Sequence, residues 1–211
     1  MKDKGIPGTR VYILEKVTPL FAAQGCNGVS MRELSKAVGL SAAAIYHHFT
    51  DKKTLYLEVM KYAFLEKTSL IEPSLSHDGS AEIRLEEFIE SFAKLLGDDP
   101  SFRALVLWAL LDDDKVRVKL VAEEVFFPPF NLVRQLLEEI DPKADHYMLT
   151  ISIIWLAVSH FATVPMCQYL PGWRPEYAEP TVISKHIMVF LIKNMHSRLS
   201  SESVKTRVKE G

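Results

Sequence analysis

The residues from Ser30 to Phe49, SMRELSKAVGLSAAAIYHHF, place hydroxyl, guanidinium, phenol and imidazole groups on what their spacing reads as two short helices joined by a tight turn. The chemistry such a layout supports is docking onto DNA: in a helix-turn-helix the second helix is shaped to lie in the major groove. Bond-breaking chemistry has no comparable signature. No Ser/His/Asp or Cys/His arrangement can be argued from spacing, and no Gly-rich phosphate loop is present. The chain is therefore expected not to be an enzyme and to need no cofactor.

The elements that must hold these groups are written locally. Ser30 N-caps the first helix, and Glu33 stands at the reciprocal position of a capping box. Met31, Leu34 and Val38 fall at helical spacing, and Ala37 leaves room for a close neighbour. Gly39 supplies a C′ residue that tolerates positive φ. Leu40 plugs the corner and Ser41 is a second N-cap. The following helix, Ala42 to Phe49, turns Ile45 and Phe49 inward four residues apart.

The rest of the composition fits a reading head on a soluble body. Of 211 residues, almost half are apolar and a quarter are charged, with a formal net charge of −2. The charge is unevenly spread: residues 1–53 hold eight Lys/Arg against four Asp/Glu, and the remainder is net acidic. Cys26 and Cys167 are the only cysteines, without CxxC spacing, so neither a disulfide framework nor a zinc site is indicated and a reducing cytosol is expected. The first ten residues lack the apolar core of a signal peptide. From Tyr147 to Trp173 there is no charged residue, a length that reaches across a bilayer. Thr150, Ser152, Ser159, His160, Thr163, Gln168, Pro165 and Pro171 argue instead for a helix covered by protein, with a second subunit completing the cover.

Helical signals dominate and strand signals are scarce, so the expected fold is all-α with about nine helices. Thr9 caps a first helix running to about Gln24, with Gly25 ending it and Pro19 kinking it. Thr50 and Asp51 cap a fourth helix, 52–72, followed by a polar loop, 73–80. Further helices are predicted over 81–97, 100–112, 114–140, 144–170 and 178–198, with Pro128-Pro129 kinking or dividing the 114–140 segment. The tail 201–211 is predicted to be flexible.

These residues resemble the tetracycline-repressor (TetR) family of bacterial regulators. The resemblance rests on Leu20-Phe21, Gly25, Ser30, Arg32, Leu34, Ala37, Gly39-Leu40-Ser41, Ile45-Tyr46, His48-Phe49, Lys52 and Leu55. It implies a three-helix DNA-binding domain over 1–53 with its motif at 30–49. A larger effector-binding and dimerisation domain would follow over 54–200. It further implies that Ser30 meets a phosphate at a helix N-terminus, that Arg32 reaches a base edge, and that Ser41 holds the turn to the backbone. Ala42, Ala43 and Ala44 begin the recognition helix, Tyr46, His47 and His48 approach phosphates and flanking bases, and Lys52 grips a phosphate. Three alanines stand where polar residues or glycine are frequent in the family. Alanine reads only thymine methyls or permits close approach, so specificity is expected to lean on Arg32, His47 and DNA shape.

The implied function is a cytoplasmic, nucleoid-associated repressor, released from a palindromic operator by a small apolar or amphipathic effector. Its homodimer would form through the helices near 144–170 and 178–198. A helical enzyme or ligand-binding protein with a vestigial head, or an effector-independent DNA binder, are the alternatives. Trp108, Trp155, His160, Phe161 and Met166 are candidates to line an effector cavity; His160 reads equally as a satisfied core histidine. Asp112-Asp113-Asp114 reads as a solvated helix cap, and His47-His48, about 100° apart on a helix, do not share a metal ion easily.

Overall fold

The computed structural model describes residues 8–75 and 78–191; the predicted tail, the end of the last helix and part of the loop at 76–77 lie outside them. The described residues are all-α, with no strand among them. The order is α1 (Thr9–Gly28), α2 (Met31–Val38), α3 (Ala42–His48), α4 (Lys52–Leu75), α5 (Ala81–Asp98) and α6 (Pro100–Leu110). There follow α7 (Lys115–Val121), a π-helical segment (Ala122–Phe126), α8 (Phe127–Ile140), α9 (His146–Cys167), a 3₁₀ turn (Pro175–Ala178) and α10 (Pro180–Leu191). Since α7, the π segment and α8 follow one another without a gap in sequence and count as one run, there are nine helical runs among the described residues.

Two compact units make up the chain: one takes in residues up to Ser69 with Asp99–Pro128, the other Leu70–Asp98 with Pro129 onward. In the first, Ile13, Leu14, Val17 and Phe21 of α1 are buried together with Leu34, Val38, Ile45, Phe49, Leu55, Tyr56, Val59 and Met60. Each such side chain is worth about 1.5–3 kcal/mol of burial. Phe21 meets Tyr56 edge-on at 5.3 Å, and α6 packs on α1. In the second unit α5 packs on α9, and Leu85, Phe88, Ile89, Ala93 and Leu96 are buried alongside Ile153, Ala157 and Phe161. Gly97 admits the Phe161 ring and Pro180, which lie 3.3 and 3.2 Å from where a Cβ would stand.

Several local expectations change. The N-cap of α1 is Gly8, at φ 112°, with Tyr12 N–H bonded to its carbonyl at 2.8 Å, so Thr9 is the first helical residue rather than the cap. Pro19 does not interrupt the helical dihedrals. The break falls at Gly25 (φ 68°, ψ 177°), after which residues 26–28 resume a helical turn. Ala37 is exposed, the buried face of α2 being carried by Leu34 and Val38. The helix α4 runs through Pro73 to Leu75, further than expected. The Pro128-Pro129 interruption is absorbed upstream: Phe127 N–H bonds Ala122 O, a five-residue π spacing. The wider turn accommodates two residues that cannot donate to it.

Helix α9 is covered only in part by its own chain. It is long and apolar enough to cross a membrane by length and composition, and 28% of its most apolar window is buried. Tyr147, Met148, Ile151, Trp155 and Met166 are exposed on it, and Val189 and Phe190 on α10.

Candidate nucleic-acid interface

The turn from α2 into α3 is built by the predicted caps. Ser30 Oγ–H and Ser30 N–H both donate to Glu33 Oε2, at 2.7 and 2.8 Å, and Glu33 N–H donates back to Ser30 Oγ at 3.3 Å. The Ser30 hydroxyl, then its backbone N–H, hold the Glu33 carboxyl below the usual carboxylate range. This places a carboxylate at the α2 N-terminus, where the resemblance puts a DNA phosphate, so Ser30 shares that position with an internal anion. Gly39 adopts φ 73° and, with Leu40, donates to Ser35 O at 2.9 and 3.2 Å. Ser41 Oγ then accepts Ala44 N–H at 3.2 Å and starts α3.

On α3, Ile45 is fully buried while Ala43, Tyr46 and His47 are exposed and Ala42, Ala44 and His48 are half-buried. A seven-residue helix anchored by one isoleucine therefore presents a small-residue leading end and an aromatic, imidazole-bearing trailing end. The His47 and His48 rings sit edge-on at 5.5 Å, and no cluster of three metal-ligating side chains occurs among the described residues. Arg32 is exposed on α2.

Lys52 has a backbone partner within the chain. Its ammonium donates to Val29 O at 2.9 Å and ties the start of α4 to the α1–α2 link, leaving two N–H donors for a phosphate. Lys53, its neighbour, pairs with Asp114 at 2.6 Å. Asp51 caps α4 as predicted, accepting Thr54 N–H at 2.7 Å.

Behind this head the same unit carries features that the sequence does not advertise. The Trp108 indole lies against Gly25, its Nε1–H donating to Ala22 O at 3.0 Å. A Cβ on Gly25 would stand 2.8 Å from the ring. Trp108, Gln24, Gly25, Asn27, Leu111 and Asp113 line part of a cavity of about 90 Å³. At its edge Arg117, 4% exposed, forks onto Asp112 and also reaches Cys26 Sγ at 3.5 Å and Asn27 Oδ1 at 3.3 Å. Burial pushes the Asp112 carboxyl up, but Arg117's hydrogen bonds and charge outweigh it and the net shift is downward. Asp114, held chiefly by Lys53, is lowered to about 2. The acidic run is thus not simply a solvated cap. Asp114 caps α7 by accepting Val116 and Arg117 N–H, while Asp112 is one half of a buried ion pair. Its one sequence signal was an arginine, on α7, five residues after an acid.

The remaining cavity candidates lie in the other unit. Trp155 and Met166 are exposed on α9, 48% and 61% respectively. Phe161 is buried core. His160 is a satisfied histidine, its Nε2 within 2.5 Å of Tyr177 O and its ring edge-on to Phe161.

Fold and motif together define a helix-turn-helix protein. Residues 13–59 match the family described as bacterial regulatory proteins, tetR family. The transcriptional repressor AcnR of Corynebacterium efficiens is 33% identical over 137 residues, 56% of this chain and 66% of that protein. Across AcnR sequences from three species the chain spans about half to two-thirds of their length. Among solved structures, FadR of Bacillus subtilis, in complex with stearoyl-CoA, superposes with a TM-score of 0.70 at 14% identity, covering 84% of this chain and 95% of FadR. AibR, in complex with isovaleryl coenzyme A and operator DNA, superposes at 0.66 and 17% identity, covering 87% and 97%. Residues 13–59 thus carry the helix-turn-helix domain of the tetR family.

Proposed function

We propose that this chain is a transcriptional repressor that binds a palindromic operator as a homodimer and leaves it when a small apolar or amphipathic effector binds. The observation that carries the reading is the doubly capped turn from α2 into α3, which presents Arg32, Ala43, Tyr46 and His47 outward from a fixed base. Such heads grip successive major grooves about 34–36 Å apart. The reading takes residues 1–53 as the DNA-binding domain and 54–200 as the effector-binding and dimerisation domain.

The homodimer is assigned to α9 and α10. Their exposed apolar side chains form a stripe that water does not favour, and Thr150, Ser152, Thr163 and Gln168 along α9 fit a protein neighbour better than lipid. The protein acts in the cytoplasm, where its operator is. An effector releases DNA only through unequal affinity for the two states; a difference of about 1–3 kcal/mol weakens operator binding roughly 5- to 150-fold. The acyl-CoA molecules held by FadR and AibR are amphipathic and make thioesters of coenzyme A the first class to screen.

Selection of bound sites from random duplex DNA tests the reading: a two-fold symmetric consensus is expected, and an enrichment without symmetry contradicts it. Two substitutions sharpen it. Arg32→Ala is expected to relax base preference at one position in each half-site, costing about 1–3 kcal/mol there; an unaltered consensus removes Arg32 from the readout. Lys52→Ala is expected to weaken binding to all sequences and lower the salt slope by about one per head. An unchanged slope assigns Lys52 only to the Val29 carbonyl.

A further inference from the structure

Arg117 is the most heavily engaged side chain near the head, and nothing in the helix-turn-helix itself calls for it. Its guanidinium forks onto Asp112, with Nη2 2.5 Å from Oδ1 and Nε on Oδ2. It donates to Asn27 Oδ1 and Cys26 Sγ at the end of α1, lies 3.7 Å from Asp114 through Nη1, and sits 5.8 Å over the Tyr56 ring of α4. Asp114 in turn holds Lys53 at the start of α4. One buried cation therefore collects the end of α1, the first turns of α4, and the link from α6 to α7.

What it collects is the segment that aims the head. Gly25 breaks α1, so the direction of residues 26–29 is set by what holds them rather than by helix continuity. Cys26 and Asn27 are held by Arg117, Val29 by Lys52, and the next residue, Ser30, is the cap from which α2 and then α3 depart. A buried ion pair contributes little net stability compared with a well-packed apolar pair of the same volume, so stability alone does not account for this one. A planar five-donor fork fixes direction in a way an ammonium or a methyl group does not.

We infer that the Asp112–Arg117 pair is a positioning device that fixes the angle at which α2 and α3 leave α1, and so sets which half-site spacing the dimer accepts. The inference rests on the proposed reading of the chain as a dimeric operator binder. Neither residue touches DNA in this account; both act through Cys26, Asn27 and the first turns of α4.

The test compares wild type, Arg117→Lys and the double variant Asp112→Leu/Arg117→Met on palindromes whose half-site separation changes one base pair at a time. The wild type is expected to show a single sharp optimum. The double variant, with no charge left buried, is expected to melt within a few degrees of wild type. It should nevertheless lose about tenfold in affinity at the optimum and bind neighbouring spacings nearly as well. Arg117→Lys, which keeps the charge but not the fork, is expected to flatten the profile too. A folded double variant with the wild-type spacing profile overturns the inference, because a merely structural pair leaves that profile unmoved. If wild type itself shows no spacing preference, the operator reading fails first, and that outcome is distinct. Should the double variant not fold, hydrogen exchange in Arg117→Lys decides without DNA. Faster exchange at residues 26–30 than in wild type supports the positioning role, and equal rates overturn it.

Discussion

Trp155→Glu is expected to turn the proposed homodimer into a monomer and to cost operator affinity about 10²–10³-fold. Trp155 is 48% exposed near the middle of α9, on a stripe with Met148, Ile151 and Met166, all of them exposed. A carboxylate at the centre of a subunit interface loses its hydration with no cation beside it on α9, which carries no charged residue from Tyr147 to Cys167. At an exposed position of the single chain the same change costs little, so the monomer stays folded. The affinity loss follows because a dimer's second head binds at an effective concentration in the millimolar range, a gain of about 10²–10⁴ that a monomer forfeits. Sedimentation equilibrium and a titration of operator DNA check both parts. A variant that remains dimeric places the interface elsewhere.

Gly25→Ala is expected to be the most damaging single-methyl change in the first unit. Two penalties coincide at that residue. Its backbone, φ 68° and ψ 177°, lies where essentially only glycine is found, which costs about 1–3 kcal/mol for another residue. The new Cβ would also stand 2.8 Å from Cδ2 and 2.9 Å from Cε3 of Trp108. Displacing the indole breaks its hydrogen bond to Ala22 O, worth about 1 kcal/mol. Together these predict a loss of about 3 kcal/mol and a fall in the melting midpoint of about 6–12 °C. Adding Trp108→Ala removes the clash but leaves the backbone penalty, and creates a cavity of its own. The double variant should therefore lose less than the sum of the two single changes. A melting midpoint unchanged in Gly25→Ala would show that α1 is not locked against α6 at this point.

What the sequence revealed was what neighbouring residues decide among themselves. Ser30 with Glu33, Gly39, Ser41 and Asp51 form their caps and turn within three to five residues, and each is found as predicted. The burial of Ile45 and Phe49 follows from their spacing alone. Local rules failed where two local solutions competed. Gly8 took the cap expected of Thr9, and the π spacing at Ala122–Phe126 absorbed a pair of prolines that pattern alone reads as a break. The largest gaps are non-local. Cys26 and Arg117 are separated by 91 residues and Trp108 and Ala22 by 86, so no window of the sequence contains both partners. Arg117 sits among Lys115, Val116, Val118 and Lys119, a run that looks solvated on one face, and only folding shows it buried. Trp155 and Met166 lie exposed on α9, and hydrophobicity alone does not distinguish a cavity wall from a subunit face.

The central claim is that two α3 helices, held by a dimer, read one symmetric site. The most direct measurement is a titration of a selected palindrome and of its isolated half-site, with complex mass determined at each point. The account predicts two chains on the palindrome and binding at least a hundredfold weaker to the half-site at equal salt. One chain per duplex, with equal affinity for palindrome, half-site and unrelated sequence, would contradict it.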